Sequence, residues 1–195
     1  MHLLLLGGFL GSGKTTLLMR ILRRLDERGS SVAVIENEIG DIGVDTQAVK
    51  TGDLYVRPLF GGCVCCQLSS GLLETVDQIQ TELQPNWLAV ELTGLAAMDN
   101  LRDAFERYGN SLAVHSVAIV DATRWEALLP VCGELLQRQL LGADAVLLGK
   151  TDIAPATDTL ISRIREFVPG TPVLDINALG EALWEELSRV WEVEL

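Results

Sequence analysis

The tightest constraint on this chain lies at its start. Residues 7–18 read Gly-Gly-Phe-Leu-Gly-Ser-Gly-Lys-Thr-Thr-Leu-Leu, directly after the apolar run from His2 to Leu6. Gly8, Gly13, Lys14 and Thr15 satisfy the phosphate-loop pattern G-x-x-x-x-G-K-[ST], and the strand-loop-helix context that the pattern requires is also met. Glycines here, Gly8, Gly11 and Gly13, let the backbone wrap so that its N–H groups face a polyphosphate. The start of the following helix adds the positive end of its dipole at the same spot. Lys14 can reach the outer phosphates, and the Thr15 hydroxyl suits Mg²⁺, a hard cation that prefers oxygen. Ser12 and Thr16 complete the candidate nucleotide-binding residues of this loop. The chain is thereby expected to bind a nucleoside triphosphate at the end of its first strand.

The rest of the chain alternates aliphatic and helical patterns. The spacing predicts a helix over 14–28 that stops at Gly29, a strand over 32–35, a polar loop over 37–51 and a strand over 54–60. A helix over 68–83 ends before Pro85. Then come a strand over 87–92, a helix over 101–108, a strand over 113–120 and a helix over 125–141 that Pro130 can kink. A strand over 145–148, a helix over 161–168, a strand over 173–176 and a helix over 181–191 follow. This order predicts an α/β fold: a doubly wound, mostly parallel sheet in three layers, α/β/α, as in P-loop NTPases. A chain of 195 residues that is 48% hydrophobic and only 5% aromatic suits an aliphatic sheet between helices, read as one domain over 1–195.

Charge narrows the partners. With 15 basic and 27 acidic residues the net charge is −12. Such a surface repels phosphate backbones, so nucleic acid is excluded as a partner and anionic membrane is disfavoured. No apolar run approaches the roughly 20 residues of a membrane span. The opening stretch lacks a basic flank and reads as a strand, not as a signal peptide. Cytoplasm is the expected compartment.

Further blocks carry chemistry. Leu88 to Gly94 is an aliphatic strand that ends in Glu91 and then a glycine. A carboxylate there can hold Mg²⁺ through water or orient an attacking water, and the Gly94 N–H could sense a γ-phosphate. The segment 36–43 is rich in acids and glycine. Such a loop can rearrange with the nucleotide, which makes Glu38 a second candidate for placing water; the plainer alternative is a solvated acidic loop. Gly149-Lys150-Thr151-Asp152 resembles the guanine-reading N-K-x-D motif. The two Asp152 oxygens can accept from guanine N1–H and N2–H₂, which adenine does not offer, and Lys150 could lie over the base plane. Gly149 stands where that motif has Asn, and losing one such hydrogen bond costs on the order of 1 kcal/mol.

Cys63-Val64-Cys65-Cys66 follows Gly61-Gly62. Thiols this close do not suggest a disulfide framework but metal or redox chemistry. Thiolates suit Zn²⁺, Cu⁺, iron, Co²⁺ or Ni²⁺. One or two of the three are expected to bind, with Glu36, Glu38 or Asp41 completing the site. The alternative is one buried cysteine and two incidental ones. Cys132, on an apolar helix, is expected in the core. His115 reads as a structural histidine more readily than as a ligand.

Taken in order, the blocks 7–18, 36–40 (Glu-Asn-Glu-Ile-Gly), 61–66 (Gly-Gly-Cys-Val-Cys-Cys), 91–96 (Glu-Leu-Thr-Gly-Leu-Ala) and 149–152 resemble those of the CobW/HypB/UreG group of P-loop GTPases, and most of all its CobW-type branch. The resemblance implies a Mg²⁺-dependent GTPase that binds GTP and GDP. It also implies a metallochaperone or metal insertase holding Zn²⁺ or Co²⁺ through Cys63, Cys65, Cys66 and Glu36. It further implies an unidentified client metalloprotein and a homodimer. Typical members carry a second, C-terminal domain, so this chain is expected to be a stand-alone GTPase domain. Two other readings stay open: a non-catalytic metal buffer or regulatory nucleotide-binding protein, and an ATP-dependent transferase, against which the Lys150–Asp152 pair argues.

Overall fold

The computed structural model describes residues 1–36, 54–58, 68–107 and 112–195. Its elements run β1 (His2–Gly8), α1 (Lys14–Glu27), β2 (Val32–Glu36), β3 (Leu54–Pro58), α2 (Leu68–Glu82), β4 (Trp87–Glu91), α3 (Met98–Arg107), β5 (Ala113–Asp121), α4 (Trp125–Leu140), β6 (Ala145–Gly149), α5 (Asp158–Phe167), β7 (Val173–Asp175), α6 (Ile176–Leu179) and α7 (Ala182–Trp191).

The strands form one seven-stranded sheet in the order β3-β2-β4-β1-β5-β6-β7. Every neighbouring pair is parallel. Helices cover both faces, so the central strands are apolar throughout instead of alternating. Leu3, Leu4, Leu5 and Leu6 of β1 are all fully buried. Leu4 and Leu6 pack with Leu17, Ile21 and Leu25 of α1 and with Leu183, Leu187 and Trp191 of α7. Leu3 and Leu5 pack on the other face with Leu72 and Val76 of α2 and Met98 and Phe105 of α3. Beside them, Val120 of β5 and Val146 and Leu148 of β6 meet Trp125 and Leu136 of α4 and Leu160 and Ile164 of α5. The doubly wound three-layer expectation is met. Because β4 and β5 flank β1, the chain changes winding direction there, and the crevice beyond the carboxyl end of β1 is the place where such sheets bind ligands.

Four local features depart from the sequence-based expectation. Helix α3 starts at Met98, not 101. Helix α5 starts at Asp158, not 161, because the Thr157 hydroxyl accepts from the Leu160 N–H and caps its first turn. A short helix, α6, follows β7 directly, nucleated by the Asp175 carboxylate accepting from the Asn177 and Ala178 N–H groups. Cys132 is not a core residue but half-buried. Pro130 lies inside α4, and the helical φ/ψ fails at Cys132 (φ −128, ψ 22), so this segment turns off the core-facing stripe and Val131 is left exposed. The predicted loop over 37–51 and the residues 59–60 and 108 lie outside the described residues.

Candidate nucleotide site

The site is built where β1 ends. Gly8 has φ +136, and a Cβ there would stand 2.4 Å from the Ile119 carbonyl oxygen and 2.9 Å from Ser12 Oγ, so only glycine fits. The loop closes through Ser12 N–H donating to the Phe9 carbonyl at 3.1 Å. Gly13, also left-handed at φ 103, is the N-cap of α1 and supplies no capping side chain. The first-turn N–H groups of Lys14, Thr15 and Thr16 have no acceptor within their own helix and open onto the loop. Lys14 is buried, and its ammonium donates to the carbonyls of Gly8 (3.0 Å) and Phe9 (3.3 Å). Burial lowers its pKa, and the nearby Glu91 charge acts in the opposite direction. Ser12 Oγ is buried and has no partner among the described residues. An open helix start, a buried cation and an orphan hydroxyl converging on one loop fit a polyphosphate.

A carboxylate completes this end. Thr15 Oγ1 donates to Glu91 Oε1 and Oε2 at 3.0 and 3.1 Å. Glu91 closes β4 in register with Leu6 of β1 and Glu36 of β2. A hydroxyl and a carboxylate side by side are oxygen ligands suited to Mg²⁺. Gly94 lies hard against the loop: a Cβ there would come within 2.8 Å of the Leu10 backbone N. Its carbonyl accepts from Gln139 Nε2 of α4.

Lys150 and Asp152 lie on the same rim, after β6. Lys150 adopts φ 61, an uncommon backbone state for a lysine. Its ammonium donates to the Gly11 carbonyl at 2.8 Å and to Asp121 Oδ2 at 2.6 Å. Asp121 Oδ1 accepts from the Thr123 N–H and hydroxyl. Burial alone would raise the Asp121 pKa, but the hydrogen bonds from Lys150 and Thr123 outweigh it and hold the carboxyl below its usual range. Asp152 is exposed, and its Oδ1 accepts from Asn177 Nδ2 at 2.9 Å. Thr151 Oγ1 donates to Asp175 Oδ1 at 2.6 Å, tying the same loop to the start of α6. A Cβ on Gly149 would lie 3.4 Å from the Ser12 carbonyl oxygen, so the position of the missing Asn abuts the phosphate loop.

Sequence reasoning missed Asp121, Arg124, Gln139 and Asn177. Asp121 ends an aliphatic strand just as Glu91 does, and that signal could have found it. Arg124 donates to the Leu10 carbonyl at 3.0 Å and lies over the Phe9 ring, a contact with no local pattern.

Of the expected metal residues, Thr15 sits as described, while Cys63, Cys65 and Cys66, with Glu38 and Asp41, lie outside the described residues. Glu36 is the last residue of β2, in register with Pro58 at the end of β3, from which the cysteine-bearing segment departs. Among the described residues no group of three or more His, Cys, Asp and Glu could hold a metal ion. His115 is buried. Its Nε2 lies 2.9 Å from His2 Nδ1, at the amino end of the sheet away from the nucleotide rim, and its ring neighbours Trp87 and Trp191.

The nucleotide-binding domain of the CobW/HypB/UreG family matches residues 2–175. The chain belongs to the CobW/HypB/UreG family. Among its CobW/HypB/UreG relatives is the zinc chaperone YjiA of Escherichia coli, 34% identical over 184 residues that cover 88% of this chain and 56% of YjiA. Another is the zinc chaperone CobW of Sinorhizobium sp., 32% identical over 77% of this chain and 51% of that protein. The chain thus spans about half the length of these curated relatives. The hydrogenase maturation factor HypB from Archaeoglobus fulgidus shares the fold with a TM-score of 0.69 at 15% identity, over 97% of this chain and 88% of that one. No helix among the described residues is long and apolar enough to cross a membrane.

Proposed function

We propose that residues 1–195 act as one GTP-binding and GTP-hydrolysing domain of a metal-handling protein, a metallochaperone or metal insertase. The observation that carries this reading is the Thr15–Glu91 contact at the open start of α1, with Lys14 behind it and Asp152 on the same rim. In this reading the loop amides and Lys14 hold the phosphates. Thr15 ligates Mg²⁺, with Glu91 joining it through water or orienting the attacking water. Bound Mg²⁺ supplies charge neutralisation across the outer phosphates. Gly94 offers its N–H to the γ-phosphate, Asp152 accepts from guanine, and Lys150 backs the base. Glu38 is the second candidate for placing water. The metal, Zn²⁺ or Co²⁺, is cargo, held through Cys63, Cys65 and Cys66 with Glu36. The names of YjiA and CobW as zinc chaperones support the cargo class. The client is a metalloprotein reached in the cytoplasm, with a homodimer as the working form.

Nucleotide titration in the presence of Mg²⁺ tests the reading. GTP is expected to bind more tightly than ATP and to be hydrolysed slowly. Lys14→Ala should abolish nucleotide binding while the fold is retained. Equal affinity for GTP and ATP would overturn the role of Asp152, and binding without turnover would overturn the enzymatic part.

A further inference from the structure

We propose that Asp121 is a positioning residue for the nucleotide site. It holds the Lys150 ammonium against the phosphate loop, so that the base-side and phosphate-side segments are set as one unit before ligand arrives. The proposal rests on the nucleotide reading above.

Asp121 is the last residue of β5, in register with Gly149 of β6. Its side chain is only 4% exposed, and a carboxylate so buried needs its oxygens satisfied. Oδ1 is taken up locally by Thr123, within the turn into α4. Oδ2 is left for Lys150, and the same ammonium reaches the Gly11 carbonyl. One cation therefore joins the ends of β5 and β6 to the middle of the phosphate loop.

Two features support this tie. Lys150 sits at φ 61, and a strained backbone state persists only where the surroundings over-determine it. Gly149 has no side chain with which to bridge to the Ser12 carbonyl, although its backbone lies close by. Among the described residues, the hydrogen bond between base loop and phosphate loop comes from the Lys150 side chain, and Asp121 is the counter-charge that fixes where that side chain goes. Pre-setting both segments spares the ligand the cost of ordering them.

A double-mutant cycle with GDP and GTP as probes tests this. Asp121→Asn keeps the size of the side chain and its Oδ1 acceptor but removes the charge facing Lys150. It should weaken nucleotide binding about tenfold. Lys150→Met should weaken it at least as much. The double variant should match Lys150→Met within about twofold, because Asp121 acts through Lys150 and not independently. Losses that multiply, or an Asp121→Asn protein that binds like wild type, would overturn the proposal. If Asp121→Asn does not fold, amide exchange in Lys150→Met decides: faster exchange over residues 8–13 supports the tie, and unchanged exchange overturns it. Failure of the guanine reading would appear separately, as equal GTP and ATP affinity in the wild type. The cycle is then read with whichever nucleotide binds, and the exchange measurement with none.

Discussion

At the scale of single residues, the two ends of the sheet put titratable groups to different uses. On the nucleotide rim Lys14 and Asp121 are buried beside opposite charges or carbonyls. At the other end His115 is buried beside a second histidine. Burial, then the neighbouring His2, push His115 down to about 4 from 6.5; Asp144 pulls it up and Arg102 pushes it further down. As pH falls from about 6.5 to 4, the unfolded chain takes up a proton at this position and the folded chain does not, so stability is lost across that window. The full loss is on the order of 3 kcal/mol. Urea midpoints at pH 7 and pH 4.5 should differ more for the wild type than for His115→Gln. Equal differences would assign the acid sensitivity elsewhere. How much was legible also divides by residue. Lys14, Thr15 and Glu91 could be read because their task demands a type at a spacing. Asn177 could not, because its partner Asp152 is distant in the chain and met only through the packing of β7 beside β6.

At the scale of elements, apolar periodicity placed each strand and the long helices, and at α5 and α6 it erred because polar capping sets the boundary. Asp158 and Thr159 carry no apolar signal, yet they are helical because Thr157 caps them. Thr157→Ala should therefore cost about 1 kcal/mol. In a chain of this size that is roughly 2–4 °C in Tm, measurable by calorimetry. An unchanged Tm would mean that packing of Leu160 and Ile164 alone fixes the start of α5. The α6 turn was missed for the same reason. It is too short for a periodic pattern, and Asp175 alone marks it. Cys132 was misplaced because Pro130 was read as a bend in a continuous stripe, whereas the stripe itself is broken at Cys132.

At the scale of the whole molecule, parallel pairing puts every strand's carboxyl end on one rim, so Gly8, Glu36, Pro58, Glu91, Asp121 and Gly149 share it. The metal proposed for Cys63, Cys65 and Cys66 can be tested for coupling to the nucleotide. Zn²⁺ affinity measured with GTP, with GDP and with neither should differ, and Zn²⁺ should change GTP affinity by the same factor. Replacing Cys63, Cys65 and Cys66 together by Ser should remove the metal and leave nucleotide binding largely intact. Identical Zn²⁺ affinity in all three nucleotide states would sink the coupling. The same polarity sorts three of the four tryptophans. Trp125 opens α4 next to Arg124, whose guanidinium lies on the phosphate loop, while Trp87 and Trp191 surround His115 at the far end. The chain thus carries its own pair of optical reporters: emission from Trp125 should follow the nucleotide, emission from Trp87 and Trp191 should follow the imidazole proton, and Trp125→Phe should silence the first signal without touching the second.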